Sequence, residues 1–145
     1  MYRFRYSMGE METRVLLVED NADDERLTLR ALRRVNPQMN VDVARDGQEA
    51  LGKITSDPEK YSVVLLDLKL PKLNGIEVLE AVRANPATAR QIVVVLTSSD
   101  EPSDVKACYQ KFANSYVRKP VDFEEFGRTI GELGLYWLKT NVAPG

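Results

Sequence analysis

The feature that most constrains the fold is the run Val63-Val64-Leu65-Leu66, four consecutive apolar residues closed by a single carboxylate, Asp67. A strand with one wet face would alternate polar and apolar positions. This one does not, so it reads as a strand buried on both faces, the habit of parallel sheets covered by helices. Pro71 then bars the strand from continuing as an internal ladder. In an open α/β sheet the chemistry sits beyond the carboxyl ends of the strands. Asp67 therefore stands where a working residue would.

The same pattern recurs along the chain. Val15 to Val18 form an apolar run that ends on Glu19 and Asp20, and Val41, Val43 and Ala44 mark a shorter one. Ile92 to Leu96 end on Thr97-Ser98-Ser99, and Ser115 to Arg118 end on Lys119-Pro120. Between these runs the apolar residues switch to helical spacing. Leu27, Ala31, Leu32 and Val35 form one stripe before Pro37, and Glu49 to Ile54 a short helix after the Asp46-Gly47 turn. Ile76, Leu79 and Val82 mark a third, stopped at Asn85-Pro86, and Val105, Cys108, Tyr109 and Phe112 a fourth. Phe123, Phe126, Ile130, Leu133 and Trp137 give the last. Five strands alternating with helices predict an α/β fold, a doubly wound five-stranded parallel sheet.

The 145 residues suit one domain, expected over 12–138, with an extension at 1–11 and a tail at 139–145. In the extension Tyr2, Phe4 and Tyr6 alternate with Arg3 and Arg5, and either Met8 or Met11 could be the true start. A net charge of -2 gives no electrostatic case for nucleic acid. No apolar run approaches the roughly 20 residues of a membrane span, and the N-terminus lacks a signal-type apolar core. A cytoplasmic location is the expectation. The lone Cys108 excludes an internal disulfide, and its place on a helical stripe makes it a small core hydrophobe. Histidine is absent, which removes Ser/His and Cys/His catalysis and His-ligated metals. The chemistry must run on carboxylates, lysine and hydroxyls.

With a strand order of 2-1-3-4-5, the first and third strands are neighbours, and Glu19, Asp20 and Asp67 converge at the switch point. Three clustered carboxylates repel one another and need a cation. Hard oxygen donors with room for water suit Mg²⁺. Thr97 and Lys119 facing such a metal would make a pocket for a phosphoryl group, with Asp67 as nucleophile and Lys119 as a point charge.

Leu17-Val18-Glu19-Asp20-Asn21, Leu65-Leu66-Asp67-Leu68-Lys69-Leu70-Pro71, Asn74-Gly75, Val95-Leu96-Thr97-Ser98-Ser99 and Tyr116-Val117-Arg118-Lys119-Pro120 together resemble the receiver domain of two-component response regulators. The resemblance implies the flavodoxin-like receiver fold and transfer of a phosphoryl group from a partner sensor histidine kinase to Asp67. It implies Mg²⁺ held by Asp20, Asp67 and the carbonyl of Lys69, with Glu19 joining through water. Thr97 and Tyr116 would be the switch pair, and the Lys119–Pro120 bond would be cis. Ser99 to Val105, Ala113 to Tyr116 and Tyr136-Trp137-Leu138 further resemble the small receivers that partner bacterial phytochromes.

Two other readings compete with a stand-alone phosphorylation switch that catalyses only its own phosphoryl transfer and loss. A phosphatase with an Asp nucleophile would carry a second acid where Lys69 stands, and an inert receiver-like adaptor would not need the intact acids. On the last helix, Gly127, Gly131 and Gly134 form a bare strip at i, i+4 and i+7. Each costs a helix interior roughly 0.5–1 kcal/mol relative to Ala. With Tyr136 and Leu138 off the core stripe, the expectation is a homodimer whose interface includes this strip.

Overall fold

Each apolar run becomes a strand and each stripe a helix because both faces of a parallel sheet must be covered. The computed structural model describes residues 14–143. The extension at 1–11 and the outer end of the tail lie outside them. The strands are β1 (Arg14–Val18), β2 (Asn40–Ala44), β3 (Val63–Leu66), β4 (Val93–Thr97) and β5 (Ser115–Arg118). All pair in parallel, in the order β2-β1-β3-β4-β5. The helices are α1 (Ala22–Val35), α2 (Gly47–Ser56), α3 (Gly75–Ala84), α4 (Pro102–Gln110) and α5 (Phe123–Leu135), the last running into a π turn at Tyr136–Thr140.

The pleat divides the core in two. Leu16, Val18, Val64, Leu66, Val93 and Val95 point to the side covered by α2, α3 and α4, where they meet Ile54, Leu79, Val82 and Cys108. Val15, Leu17, Val63, Leu65, Val94 and Leu96 point to α1 and α5, against Leu32, Phe126, Ile130 and Leu133. Local chemistry sets the helix starts. Asn21 accepts the Asp24 amide at 2.9 Å, Asp46 the Glu49 amide at 2.7 Å, and Asn74 and Glu77 close a capping box at the start of α3. Among the described residues no helix is long and apolar enough to cross a membrane.

The stripe on α4 is buried less deeply than its spacing predicts. Cys108 is buried, but Tyr109 is 50% and Phe112 73% exposed. The chain turns at Phe112, whose φ is +63°, and leaves the helix before that ring can reach the sheet. Arg83 of α3 ties this turn down. Its guanidinium donates to the carbonyls of Phe112, Ala89 and Gln91 and to the Asn114 side chain, at 2.7–3.1 Å. Burial pushes the Cys108 thiol up to about 11, and only the thiolate reacts. An aromatic disulfide reagent at pH 8 should therefore leave Cys108 untouched in the native protein and modify it at once in urea. Stoichiometric modification of the native protein within minutes would contradict this burial.

Candidate functional site

The register of the central strands builds the site. Val18 lies beside Leu66, so the next residues, Glu19 and Asp67, leave adjacent strands side by side. The Asp67 amide donates to the Val18 carbonyl at 3.1 Å, and the Glu19 amide to Ala44 at 2.9 Å. Both carboxylates are buried while Asp20 is exposed, and oxygens of Glu19, Asp20 and Asp67 lie within 4.8 Å of one another. A cavity of about 480 Å³ opens beside Asp20, with Lys69, Asn74 and Asp104 also in its wall.

Asp67 is held at both oxygens. Oδ1 accepts the amides of Leu68 at 2.7 Å and Lys69 at 3.4 Å, while Oδ2 accepts Lys119 Nζ at 3.2 Å. Lys119 also donates to Glu19 Oε1 at 2.6 Å and Asp24 Oδ2 at 2.8 Å. Burial disfavours the Lys119 charge, but the hydrogen bonds to Asp24 and Glu19 and the charge of Asp67 outweigh it and hold the ammonium protonated. Glu19 is pushed up to about 7 by its burial, an effect that the Lys119 hydrogen bond opposes and the neighbouring Asp67 charge reinforces.

Backbone fit fixes the loop after Asp67. A Cβ at Gly75 would stand 2.3 Å from the Asp67 carbonyl oxygen, and one at Gly47 would stand 1.9 Å from that of Leu73. The loop that carries Lys69 is thus clasped between the first residues of two helices. Thr97 is fully buried at the end of β4, and its carbonyl accepts the Lys119 amide at 2.7 Å. Ser99 links this strand end to its neighbours. Its hydroxyl donates to Asp104 at 2.6 Å, and its carbonyl accepts the Tyr116 hydroxyl at 2.8 Å. The Tyr116 ring packs against the α3–α4 side of the core.

Of the residues expected at the site, Glu19, Asp20, Asp67, Lys69, Thr97, Lys119 and Tyr116 gather at this one end of the sheet. Two expectations are corrected. Lys119–Pro120 is trans, as are all the described peptides. Proline narrows the trans preference to about 0.5–1 kcal/mol without reversing it. The glycine strip, in turn, is not all bare, since its Gly134 packs against α1. A Cβ on Gly134 would meet Leu32 and Val35 of α1 at 3.2 and 3.5 Å, Leu138 packs into the core on that side, and Gly127 lines a groove with Leu27 and Ala31. Gly127 and Gly131 have open space at their Cβ positions, and with the exposed Leu135 and Tyr136 they stay available to a partner. Asp24 was not foreseen. It falls in the first turn of α1, where an acid ordinarily does no more than complement the helix dipole.

A 2-1-3-4-5 parallel sheet with paired acids, a hydroxyl and a lysine at its switch point has the architecture of the flavodoxin-like receiver fold. A sequence model of the response regulator receiver domain matches residues 15–130, and the chain belongs to that family. It is 39% identical over 135 residues to the probable methanogenesis regulatory protein FilR2 of Methanothrix harundinacea, covering 90% of this chain and 87% of that one. It is 33% identical to the response regulator Rcp1 of Synechocystis sp., over 90% of this chain and 92% of that one. The Mn²⁺-bound form of Rcp1 superposes with a TM-score of 0.85 over 92% of this chain and 99% of that structure. The phosphorylated cyanobacterial phytochrome response regulator RcpA does so at 0.87, with 31% identity over 92% and 99% of the two chains. The protein is a response regulator receiver similar to those of phytochromes.

Proposed function

We propose that this receiver accepts a phosphoryl group on Asp67 from the phosphohistidine of a partner sensor kinase, and that the resulting aspartyl phosphate acts as a conformational switch. The observation that carries the reading is the way Asp67 is held. Its carboxylate is buried at the end of the central strand, fixed by two backbone amides on one oxygen and by Lys119 on the other. A carboxylate oxygen bonds to phosphorus as the phosphorus–nitrogen bond breaks, and the imidazole leaves with the electron pair and takes up a proton. Lys119 supplies positive charge to the phosphoryl oxygens, and Thr97 offers its hydroxyl at the neighbouring strand end. Tyr116, tied to the Ser99 carbonyl, reports any movement of the Thr97 strand end.

The donor set fits a hard divalent cation, because three carboxylates lie within 4.8 Å and none of the donors is nitrogen or sulfur. Asp20, Asp67 and the Lys69 carbonyl would hold Mg²⁺, with Glu19 acting through water. When bound, the metal neutralises charge on the transferring phosphoryl oxygens. The likeness to RcpA and Rcp1 supports a kinase of the phytochrome type. Acetyl phosphate with Mg²⁺ should add one phosphoryl group to the unmodified protein by intact mass and none to Asp67→Asn. Labelling that persists in that variant would sink the assignment.

We further propose self-association through the end of α5, where Leu135 and Tyr136 are both exposed beside Gly131. Gly131→Leu should block it while leaving Asp67 labelling intact. Light scattering that gives a monomer before and after phosphorylation would end this proposal.

A further inference from the structure

An ammonium has three N–H donors, and all three of those on Lys119 are spent, on Glu19 at 2.6 Å, Asp24 at 2.8 Å and Asp67 at 3.2 Å. The first and last of these acids sit on the strand ends that form the site. Asp24 comes from another element, the first turn of α1. Its position there is fixed independently, since its amide is held by the Asn21 cap at 2.9 Å. A helix start is thus roped to the lysine that the proposed phosphoryl transfer depends on.

We infer that Asp24 is a positioning residue that holds Lys119 back from the phosphoryl group and thereby sets how readily Asp67 is phosphorylated. This rests on the reading of Asp67 as the acceptor. A phosphoryl group on Asp67 extends beyond the carboxylate, so Nζ must shift outward to meet its oxygens, and the bonds to Glu19 and Asp24 resist that shift. The two do not resist equally. Glu19 is 1% exposed and would be left as a bare buried charge, a heavy penalty. Asp24 is 28% exposed, so water can take the place of the ammonium. A pair of that kind is worth a small fraction of the buried one. Asp24 is therefore the arm that lets go, and its grip on Lys119 opposes acceptance of the phosphoryl group in the resting protein.

The test compares Asp24→Asn with Asp23→Asn. Asp23 belongs to the same helix turn but pairs with Arg26 at the surface, so its substitution removes the same charge without touching Lys119. Labelling by limiting acetyl phosphate with Mg²⁺ should be about three- to fivefold faster in Asp24→Asn, the range expected for loss of a partly exposed pair, and unchanged in Asp23→Asn. The Lys119 ammonium resonance, recorded without any phosphodonor, should move in Asp24→Asn alone. An unchanged or slower rate in Asp24→Asn, an unmoved resonance, or an equal acceleration in both variants would each overturn the inference. Failure of the unmodified protein to be labelled, or labelling retained in Asp67→Asn, would instead overturn the acceptor assignment, and the resonance would still show whether Asp24 grips Lys119.

Discussion

Replacing Lys119 with methionine is expected to cost about 3–5 kcal/mol of folding stability at pH 8, the toll of leaving buried charge without its partner. At pH 5 the loss should be much smaller. Methionine keeps the length of the side chain but removes the only cation that, among the described residues, faces Glu19 and Asp67, both of them buried. Glu19 is already displaced from its ordinary 4.5 to about 7 with Lys119 in place, and without that opposing bond it moves further up. A folded-state value above the unfolded one means that the folded protein binds the proton more tightly. The associated stability is fully present below 4.5 and is lost as pH rises through the folded value. At pH 5 the variant can therefore protonate Glu19 freely and escape the repulsion from Asp67, whereas at pH 8 that protonation is far less favourable. Urea unfolding in the presence of a chelator, at the two pH values, reads the difference directly. Equal losses at both would mean that Glu19 and Asp67 are not coupled through Lys119. Labelling of Asp67 should fall by about a hundredfold or more, the usual result of removing one preorganised donor from a developing charge.

Gly47→Ala and Gly75→Ala should each destabilise the fold by about 3 kcal/mol or more, at or beyond the upper end for overpacking. The obstacle at both positions is backbone, which has no rotamer to change. At Gly47 the new Cβ would stand 1.9 Å from the Leu73 carbonyl oxygen, and at Gly75 2.3 Å from that of Asp67. Relief requires lifting α2 or α3 off the loop, which breaks the bond from the Gly47 amide to Pro71 at 3.2 Å or from the Gly75 amide to Leu68 at 2.9 Å. Gly52 provides the contrast. It lies within α2 with nothing inside 4 Å of its Cβ, so Gly52→Ala should gain roughly 0.5–1 kcal/mol. Urea midpoints of the three variants check the set. A loss below about 0.5 kcal/mol at Gly47 or Gly75, the scale of an ordinary surface change, would show that the close approach is slack.

Much of this was legible in the residues. The uninterrupted run Val63 to Leu66 announced a strand covered on both sides, and the polar residues after each apolar run fell at one end of the sheet because parallel strands all point the same way. Glu19, Asp67, Thr97 and Lys119 could be read on that ground alone. Asp24 could not. It reaches Lys119 across the fold, 95 residues away, and nothing local separates it from any acid at a helix start. Tyr109 and Phe112 failed for a different reason. Helical spacing shows which residues share a face but not how far a neighbour extends to cover it, and α4 ends before Phe112 reaches the sheet. Gly134 was read as an opening for another chain, yet the α1 side chains Leu32 and Val35 already occupy the space beside it.

The Arg83 contacts have a mechanical consequence for α4. By binding the Phe112 carbonyl from the neighbouring helix while also gripping Ala89 and Gln91, that guanidinium nails the far end of α4 to the base of the sheet. The near end, by contrast, starts at Glu101 with no side-chain cap and is moored through the Ser99 hydroxyl, which donates to Asp104 and accepts the Glu101 amide. A rod pinned at one end and lightly moored at the other can only swing about the pin. At 1.5 Å per residue its nine residues give a lever of roughly 13 Å. Any small displacement of Ser99 is therefore felt most at the Pro102 end, beside the acids, and fades to nothing at Phe112.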